Sequence, residues 1–311
     1  MSKNFKLLLE EAHALGLSTD IIYPEKEVVE IGNASQKIIV KEVFSFPVDL
    51  FSASAVLAKN KEITYRLWER ENIPISRGHY FKNIASFPKN AEDFDLKFPV
   101  ILKKSNGKKS IGVRPNIASF SNLKKIVAES TGGFIVQEMA IGREYRLLIY
   151  KDRLLGALEH APPMVVGDSE STIAELIEKR NLRFEKKIGT GEKVIQTLAK
   201  YDLTLDSIPK QGAPVTLLET CCLSEGATST DCTDIVHEDM LRLALKAARA
   251  ANMRLAGIDV ICEDISIDPS KQSVSFLETN SFPSLSIHYT PMFGTSRHVI
   301  KDILEDIFEL N

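Results

Sequence analysis

Three oxygen-bearing side chains lie in two short apolar segments late in the chain. Asp259 lies in GIDVIC, and Glu278 and Asn280 lie in VSFLETN. Carboxylate and amide oxygens are the ligands that a hard divalent cation such as Mg²⁺ prefers. If the three side chains converge, they form a metal site suited to holding a phosphate chain.

The two segments must be extended for this convergence to occur. Both are rich in β-branched and aromatic residues, and the polar stretch EDISIDPSKQ separates them, which predicts a β-hairpin. Side chains alternate along a strand, so Glu278 and Asn280 share one face, and the partner strand can place Asp259 on it. The alternative is that Asp259 caps a strand end and that Glu278 and Asn280 are surface polar residues.

A second candidate site begins at Lys103, which ends the apolar run FPVIL. The loop SNGKKSIG follows, with Ser105, Gly107 and Gly112 among its small and polar residues. Backbone N–H groups in such a loop can surround phosphates, and a lysine anchored on a strand adds positive charge. The segment is not a P-loop, because no helix-opening GK[ST] follows. A plain hairpin turn remains the alternative.

A third candidate is VQEMAIGREYR, where an apolar strand runs into a short linker and restarts. A crossing between two lobes suits a flat adenine ring. Gln137 can meet the amino group of the base, and Glu144 can accept hydrogen bonds from ribose hydroxyls. Alternatively, Glu144 and Arg146 form a surface ion pair contributing at most about 1 kcal/mol.

The overall composition is that of an ordinary globular protein. The chain has 311 residues, of which 44% are hydrophobic and 26% charged, with a net charge of −3. This length predicts two or three lobes, and no stretch approaches the ~20 apolar residues that span a bilayer. The first residues are charged at helical spacing, so we expect no signal peptide. Four cysteines without CxxC spacing favour reduced thiols and a cytoplasmic location.

Hydrophobic periodicity predicts helices separated by strands along the whole chain. Strands are expected at DIIYP, at 38–44, on both sides of the phosphate loop, at GGFIVQEM, and as a meander with a Lys151-Asp152 turn. The polar residues 182–213 are interpreted as a lid or substrate-facing insert. Helices are predicted over residues 5–16, 59–72, 121–130, 171–181, 237–253 and 296–310.

Taken in order, these motifs resemble the ATP-grasp superfamily, and in particular the ATP-grasp domains of cyanophycin synthetase and of bifunctional glutamate-cysteine ligase/glutathione synthetase. The similarity extends over about residues 60–300. The segments that carry it are KKSNGKKSIGV, VQEMAIGREYR, APPMVVGDSESTIAELIEKRN, LSEGATSTDCTDIVH, AGIDVIC and FLETNSFPSLSIHY.

The resemblance implies an α+β ATP-grasp fold, in which two α+β lobes grip ATP after a small N-terminal α/β lobe. The expected boundaries are 1–57 for the pre-grasp-like lobe, 58–140 for the small lobe with the phosphate loop, and 141–311 for the C-terminal lobe with the metal site and substrate insert. The implied activity is an ADP-forming carboxylate-amine ligase acting through an acyl phosphate on a small amino acid or dipeptide. The alternative is a catalytically weakened ATP-binding module with a regulatory or sensing role.

The resemblance also assigns roles to individual residues. It implies ATP with Mg²⁺ or Mn²⁺ as cofactors, and small amino-acid or peptide substrates rather than nucleic acid or a membrane as partners; a homodimer is left open. The implied catalytic residues are Lys103 and Arg146. The nucleotide contacts are Lys103, Ser105, Gly107, Gly112, Gln137, Glu138, Ala140 and Glu144; the metal ligands are Asp259, Glu278 and Asn280; the substrate positions are Arg146, Asp168, Ser224, Gly226 and His288. A solvated loop residue is the alternative for His288.

The sequence departs from the pattern of these relatives at several positions. Tyr65 stands where the relatives usually have a second ATP-contacting lysine, and Ser110 stands where a glycine is usual. Leu218 and Cys222 replace an arginine and an asparagine that would contact phosphate or metal. Compensation by Glu219 or Arg297 is one hypothesis.

Overall fold

The computed structural model describes residues 1–41, 60–105, 112–184, 186–221 and 223–310. The helices of this part of the chain are α1 (Lys3–Ala14), α2 (Lys61–Arg70), α3 (Phe120–Ala128), α4 (Ile173–Arg183), α5 (Glu192–Ala199), α6 (Glu238–Ala250), α7 (Ser286–Tyr289) and α8 (Val299–Phe308).

Fourteen strands lie within the same described ranges. They are β1 (Ser18–Tyr23), β2 (Val28–Gly32), β3 (Lys37–Lys41), β4 (Gly78–Phe81), β5 (Val100–Lys104), β6 (Arg114–Ile117), β7 (Phe134–Glu138), β8 (Arg143–Tyr150), β9 (Arg153–Ala161), β10 (Met164–Val166), β11 (Pro214–Thr216), β12 (Thr228–Asp231), β13 (Leu255–Cys262) and β14 (Val274–Asn280).

The chain divides into two compact units. Unit 1 comprises Met1–Leu158 with Asp231–Asn311, and unit 2 comprises Glu159–Thr230. The boundary expected between 57 and 58 falls at residues outside the described ranges, and the three-lobe division stays a prediction. Among the described residues, no helix is both long and apolar enough to cross a membrane.

Within the described residues, three largely antiparallel sheets include strands of unit 1. The first has the order β1-β2-β3, the second β4-β7-β5-β6, and the third β12-β9-β8-β13-β14. The first sheet packs with α1 and α8 around Phe5, Ile31 and Ile303. The second packs on α3 around Leu123 and Phe134.

The third sheet has one apolar face and one face that carries both polar and apolar side chains. On β8, Tyr145, Leu147 and Ile149 alternate into a cluster that also contains residues of α2 and α6. Arg146 and Leu148 face the opposite side, where Leu148 joins the cluster of α1 and α8. Burial on both faces explains why the sheet strands read as nearly continuous apolar runs.

Most of the predicted elements are confirmed. The helices expected at 5–16 and 237–253 appear as α1 and α6, and the Lys151-Asp152 turn joins β8 to β9. The interpretation of 182–213 as a polar insert missed α5. In unit 2, Ile188, Val194 and Leu198 pack with α4, β10 and β11, so this stretch helps to build an apolar core of its own.

The single tryptophan anchors α2 to the third sheet and to α6. Trp68 is fully buried, its Nε1 donates a 3.0 Å hydrogen bond to the carbonyl oxygen of Ala247, and its ring meets Phe276 edge-on at 5.9 Å. Trp68→Ala should lower the free energy of unfolding by about 3–5 kcal/mol, because it leaves a large cavity and removes the hydrogen bond to Ala247. Thermal and denaturant unfolding followed by circular dichroism measure this loss. Ile39→Ala, at a 56% exposed strand position, is the control expected to change little; equal losses in both variants would contradict the anchoring role.

Candidate functional site

The three oxygen-bearing side chains meet on one face of the β13–β14 hairpin. The strands are antiparallel, with Asp259 opposite Glu278 and Gly257 opposite Asn280. Asn280 Nδ2 lies 3.3 Å from Asp259 Oδ2 and 3.4 Å from Glu278 Oε1. The predicted hairpin and the shared face are confirmed. Asp259 lies within β13 and is buried, so the alternative of a strand-end cap is wrong.

A one-residue bulge lets Glu278 reach this face. Val260 pairs with Phe276 and Asp259 pairs with Glu278, so Leu277 has no partner on β13. Regular alternation would put Phe276 and Glu278 on the same face. The extra residue reverses the pleat, which sends Phe276 into the apolar cluster and Glu278 to the polar face.

Arg146 on β8 holds Asp259 in a bidentate ion pair. Its Nε and Nη2 each donate to a different carboxylate oxygen at 2.6 Å, and the two residues are opposite each other in the β8–β13 pairing. Burial raises the pKa of Asp259 to about 6, although the guanidinium opposes the shift. Burial disfavours the charge of Arg146, but Asp259 outweighs it and raises the pKa of Arg146 above its ordinary value. Both groups are therefore predominantly charged at neutral pH.

Lys61 pairs with the second carboxylate and was missed by sequence reasoning. Its Nζ lies 2.7 Å from Glu278 Oε2, and the side chain is largely buried. Burial alone would raise the pKa of Glu278, but the ammonium of Lys61 holds it below the ordinary value. Helical spacing carried a signal, because Lys61 lies one turn before Tyr65 on the helix where an ATP-contacting lysine was expected. A separation of 217 residues from Glu278 hid the contact.

Lys103 lies near the end of β5 and is buried, as its predicted role requires. Burial and the charge of Lys61 lower the pKa of Lys103 to about 8, while Glu278, Glu144 and Asp259 act in the opposite direction. The second and third sheets of unit 1 thus contribute to one electrostatic cluster. A buried lysine with this pKa remains mostly protonated at neutral pH.

The phosphate loop is described only at its two ends. Gly107 and Ser110 lie outside the described residues. Ser105 is buried; its hydroxyl donates to the carbonyl oxygen of Gly133 at 3.1 Å, and its own carbonyl accepts from the N–H of Lys61 at 3.2 Å. Gly112 has φ +78°, a backbone conformation that favours glycine. The nucleotide roles of these residues stay predictions.

The predicted adenine edge follows β7 into the linker. Gln137 is buried, and its amide already contacts Tyr65 and the carbonyl oxygen of Ser76, each at 3.3 Å. Glu138 Oε1 accepts from the backbone N–H of Lys97 at 3.0 Å. Ala140 is half-buried beyond the strand. These side-chain contacts favour a structural role for Gln137, and its contact with adenine stays a prediction.

Glu144 lies at the polar end of β8, two residues before Arg146 and therefore on the same face. It is opposite Ile261 in the β8–β13 pairing and contributes negative charge to the surroundings of Lys103 and Asp259. Arg146 is hydrogen-bonded to Asp259 inside the cluster. The alternative of a surface ion pair between Glu144 and Arg146 is therefore not supported. The ribose contact stays a prediction.

Three of the predicted substrate positions lie in unit 2. Asp168 accepts from the N–H of Ser171 at 2.7 Å and from Lys179 Nζ at 3.1 Å, and these contacts, led by the Ser171 N–H, lower its pKa. Gly226 has φ +94°, and its carbonyl accepts from buried Arg180 at 2.6 Å. Ser224 lies in the short 3₁₀ turn Leu223–Glu225. The contacts of Asp168 and Gly226 favour structural roles, and a substrate role stays a prediction.

His288 lies on α7 in unit 1 and is fully buried. Its imidazole packs on Gly156, where an added Cβ would lie only 2.6 Å from Nδ1. The alternative of a solvated loop residue is therefore wrong. The substrate role of His288 stays a prediction.

The residues predicted to depart from the pattern of the relatives have distinct structural settings. Leu218 is part of the apolar core of unit 2, and Glu219 is ion-paired with Lys200. Arg297 is bound by Asp231 and Asp234 within unit 1. Cys222 lies outside the described residues. Glu219 and Arg297 already have charged partners, which does not favour either as a substitute for the missing arginine.

The donor set fits a hard divalent cation. Two carboxylates and one amide converge, and an asparagine amide can present its oxygen by a half-turn. Within the described residues, no three His, Cys, Asp or Glu side chains form a metal-binding group, and the predicted set includes the amide of Asn280 as its third donor. Lys61 and Arg146 form ion pairs with the two carboxylates, so this face of the sheet already stabilises positive charge.

The Arg146–Asp259 pair should be essential for stability. Arg146→Leu leaves the buried Asp259 carboxylate unpaired and should lower the free energy of unfolding by about 3–5 kcal/mol at pH 7. The loss should shrink toward pH 5, because an unpaired Asp259 takes up a proton more easily. Arg242→Leu, which removes an exposed ion-paired arginine, is the control expected to have little effect. Denaturant unfolding at both pH values measures the difference, and a pH-independent loss would contradict the assigned cause.

The chain is similar in sequence to two kinds of known protein. The bifunctional glutathione biosynthesis protein GshAB of Clostridium perfringens is 27% identical over 316 residues, covering 97% of this chain and 40% of that protein. The cyanophycin synthetase of Trichormus variabilis is 27% identical over 264 residues, covering 81% of this chain and 29% of that protein. No protein-family model matches.

A similar fold is present in the crystal structure of a bifunctional glutathione synthetase from Pasteurella multocida. The TM-score is 0.72 at 23% identity, covering 100% of this chain and 44% of that one. The chain thus spans less than half the length of these relatives. The predicted resemblance is confirmed: the chain has the α+β ATP-grasp fold and is similar to the ATP-grasp domains of cyanophycin synthetases and bifunctional glutathione-synthesising proteins.

Proposed function

We propose that the chain is an ATP-dependent, ADP-forming carboxylate-amine ligase that acts on a small amino acid or dipeptide. The observation that carries the proposal is the convergence of Asp259, Glu278 and Asn280 on one sheet face. The sequence similarity to GshAB and cyanophycin synthetase supports the same reaction class.

The charges of the site suit a metal–triphosphate complex. Lys61, Lys103 and Arg146 bring positive charge to the same cluster as the acidic metal-ligand candidates. Asp259, Glu278 and Asn280 would hold Mg²⁺ or Mn²⁺, which would neutralise charge on the phosphates. The three basic groups would stabilise the transferring phosphoryl group, and their burial strengthens that interaction.

The proposed reaction has two steps, a phosphoryl transfer and an acyl transfer. In the first, a substrate carboxylate oxygen attacks the γ-phosphorus, the bond to the bridging oxygen breaks, and ADP leaves. In the second, an amine attacks the acyl carbon, inorganic phosphate leaves, and one proton is released. Lys103 and Arg146 are the catalytic residues in this proposal, because each places a cation in the cluster where the phosphoryl group would move.

One observation favours the alternative of an ATP-binding module with weakened catalysis. Leu218 is buried in the apolar core of unit 2, where the relatives would have a phosphate-contacting arginine. A leucine in that core offers no donor for charge that develops in the transition state. Nucleotide binding without turnover is what this alternative expects.

Release of ADP distinguishes the two functions. Incubation with ATP, Mg²⁺ and mixtures of amino acids should release ADP and phosphate only when a carboxylate and an amine substrate are both present. Glu278→Gln should reduce this release at least about 100-fold, because an amide is a poorer metal ligand and loses the charge that fixes Lys61. Glu238→Gln, at an exposed helix position, is the matched control. Binding of ATP with no ADP release under any mixture would support the module instead.

Nucleotide binding should take up a proton at pH 8. Lys103 has a pKa of about 8 in the free protein, and a triphosphate beside it would raise that value. Affinity for a non-hydrolysable ATP analogue with Mg²⁺ should therefore fall as the pH rises above about 8. Titration calorimetry in two buffers of different ionisation enthalpy measures the proton uptake.

Lys103→Arg is the control for this proton uptake, because arginine stays charged and should bind nucleotide without it. Wild-type binding heats that do not depend on the buffer would contradict the role of Lys103. The lowered pKa of Lys103 also affects the free energy of unfolding. Between pH 8 and 10.5 the unfolded chain binds more protons than the folded protein at this residue, so Lys103 makes the folded protein more stable as the pH rises.

A further inference from the structure

The bulge at Leu277 decides whether Glu278 belongs to the core or to the site. Phe276 and Glu278 are two residues apart yet face opposite sides, and Leu277 is the extra residue between them. Loss of the bulge would shift the register by one position and exchange the two faces. A charged side chain would then point into an apolar cluster, so the conformation at Leu277 has to be fixed.

A bulge leaves backbone groups without ladder partners. β14 is the edge strand of its sheet, so the partners have to come from outside the sheet. The N–H of Phe276 donates to the carbonyl oxygen of Pro74 at 2.8 Å, and Ser275 Oγ accepts from the N–H of Ser76 at 2.9 Å. The carbonyl oxygen of Leu277 accepts from the hydroxyl of Tyr65 at 2.6 Å.

Tyr65 is held rigidly enough to fix that carbonyl. It lies on α2, is 7% exposed, and its ring lies 6.0 Å from that of Trp68, which is itself fully buried. The same hydroxyl lies 3.3 Å from Gln137 Oε1 on β7. One oxygen atom therefore contacts the strand that carries Glu278 and the strand that leads to the predicted adenine edge.

The hydroxyl keeps its proton throughout the working pH range. Burial, together with the negative charge of Glu278, raises the pKa of Tyr65 well above its ordinary value. A permanent donor suits a carbonyl oxygen, which can only accept. α2 also supplies Lys61, which pairs with Glu278 one turn earlier, so one helix face holds both the backbone and the carboxylate of this segment.

We propose that Tyr65 is a positioning residue of the metal and nucleotide site, whose hydroxyl fixes the bulge at Leu277 and thereby aims Glu278 at Asp259 and Asn280. The inference rests on the proposed function for its ligand, a divalent metal with a nucleotide. It assigns to Tyr65 an interaction through the backbone of β14 in place of a direct contact with phosphate. A single O–H group performs this role. A substitution that removes the hydroxyl and keeps the ring therefore separates positioning from packing.

Tyr65→Phe removes that group and keeps the ring. Tyr150→Phe is the matched control: Tyr150 is 3% exposed and its hydroxyl donates to Asp306 Oδ2 at 2.7 Å, in the separate cluster of α1 and α8. Tyr65→Phe loses the contacts of its hydroxyl with Leu277 and Gln137, and Tyr150→Phe loses the contact of its hydroxyl with Asp306. Both should lower the melting temperature, so stability alone does not test the proposal.

Two further measurements test positioning. In the nucleotide-free protein, hydrogen exchange of peptides covering 274–280 should become about tenfold faster in Tyr65→Phe and stay unchanged in Tyr150→Phe. The affinity for Mn²⁺ with ADP, measured by titration calorimetry, should fall about 10- to 100-fold in Tyr65→Phe alone, which is the usual effect of losing a group that orients a ligand.

Wild-type exchange in 274–280 or wild-type affinity for Mn²⁺ with ADP in Tyr65→Phe would overturn the proposal. Failure of the proposed function has a different signature, because the wild-type protein itself would then bind no Mn²⁺ with ADP. In that case exchange in the nucleotide-free variants decides the role of Tyr65: faster exchange only in Tyr65→Phe supports its hold on the bulge, and equal exchange in both variants overturns it.

Discussion

Balance of buried charge is the constraint on which this site depends. Asp259 lies in the middle of a sheet strand where little water reaches it, and an ionised carboxylate is stable there only with a well-placed cation. Arg146 supplies that cation from the neighbouring strand with both hydrogen bonds at 2.6 Å. Glu278 has its own counter-ion in Lys61. Without these pairs, burial would neutralise the carboxylates or expel them from the fold.

The same pairing explains why the site is organised before any ligand arrives. Oxygen donors and basic groups alternate across the cluster, so opposite charges hold each other in position on four strands and one helix. A metal–triphosphate complex has the same alternation of positive and negative charge. In the proposed function, the metal ion and the phosphates would take the places of the protein's own charged partners. Little reorganisation of the backbone would be needed.

Two residues that were predicted to depart from the pattern of the relatives take part in the packing of the chain. Leu218 contributes to the apolar core of unit 2, and Tyr65 bonds to the backbone of β14. A polar residue at the first position would have to leave that core or find a buried partner. At the second position, Tyr65 is a rigid side chain that bonds to the strand itself.

The sequence by itself determined the strands that carry the oxygen donors, because alternation of apolar and polar residues is a local property. It placed Glu278 and Asn280 on one face and paired them with Asp259, and the motif order predicted the ATP-grasp fold. The same alternation would have put Phe276 beside Glu278, and only the register of β13 with β14 shows the bulge that separates them. Arg146, Lys61 and Tyr65 reach the site from 113 to 217 residues away. Contacts over such distances, and the core formed by Ile188 and Val194 in a stretch that reads as polar, depend on which surfaces the folded chain brings together, and no local pattern records that.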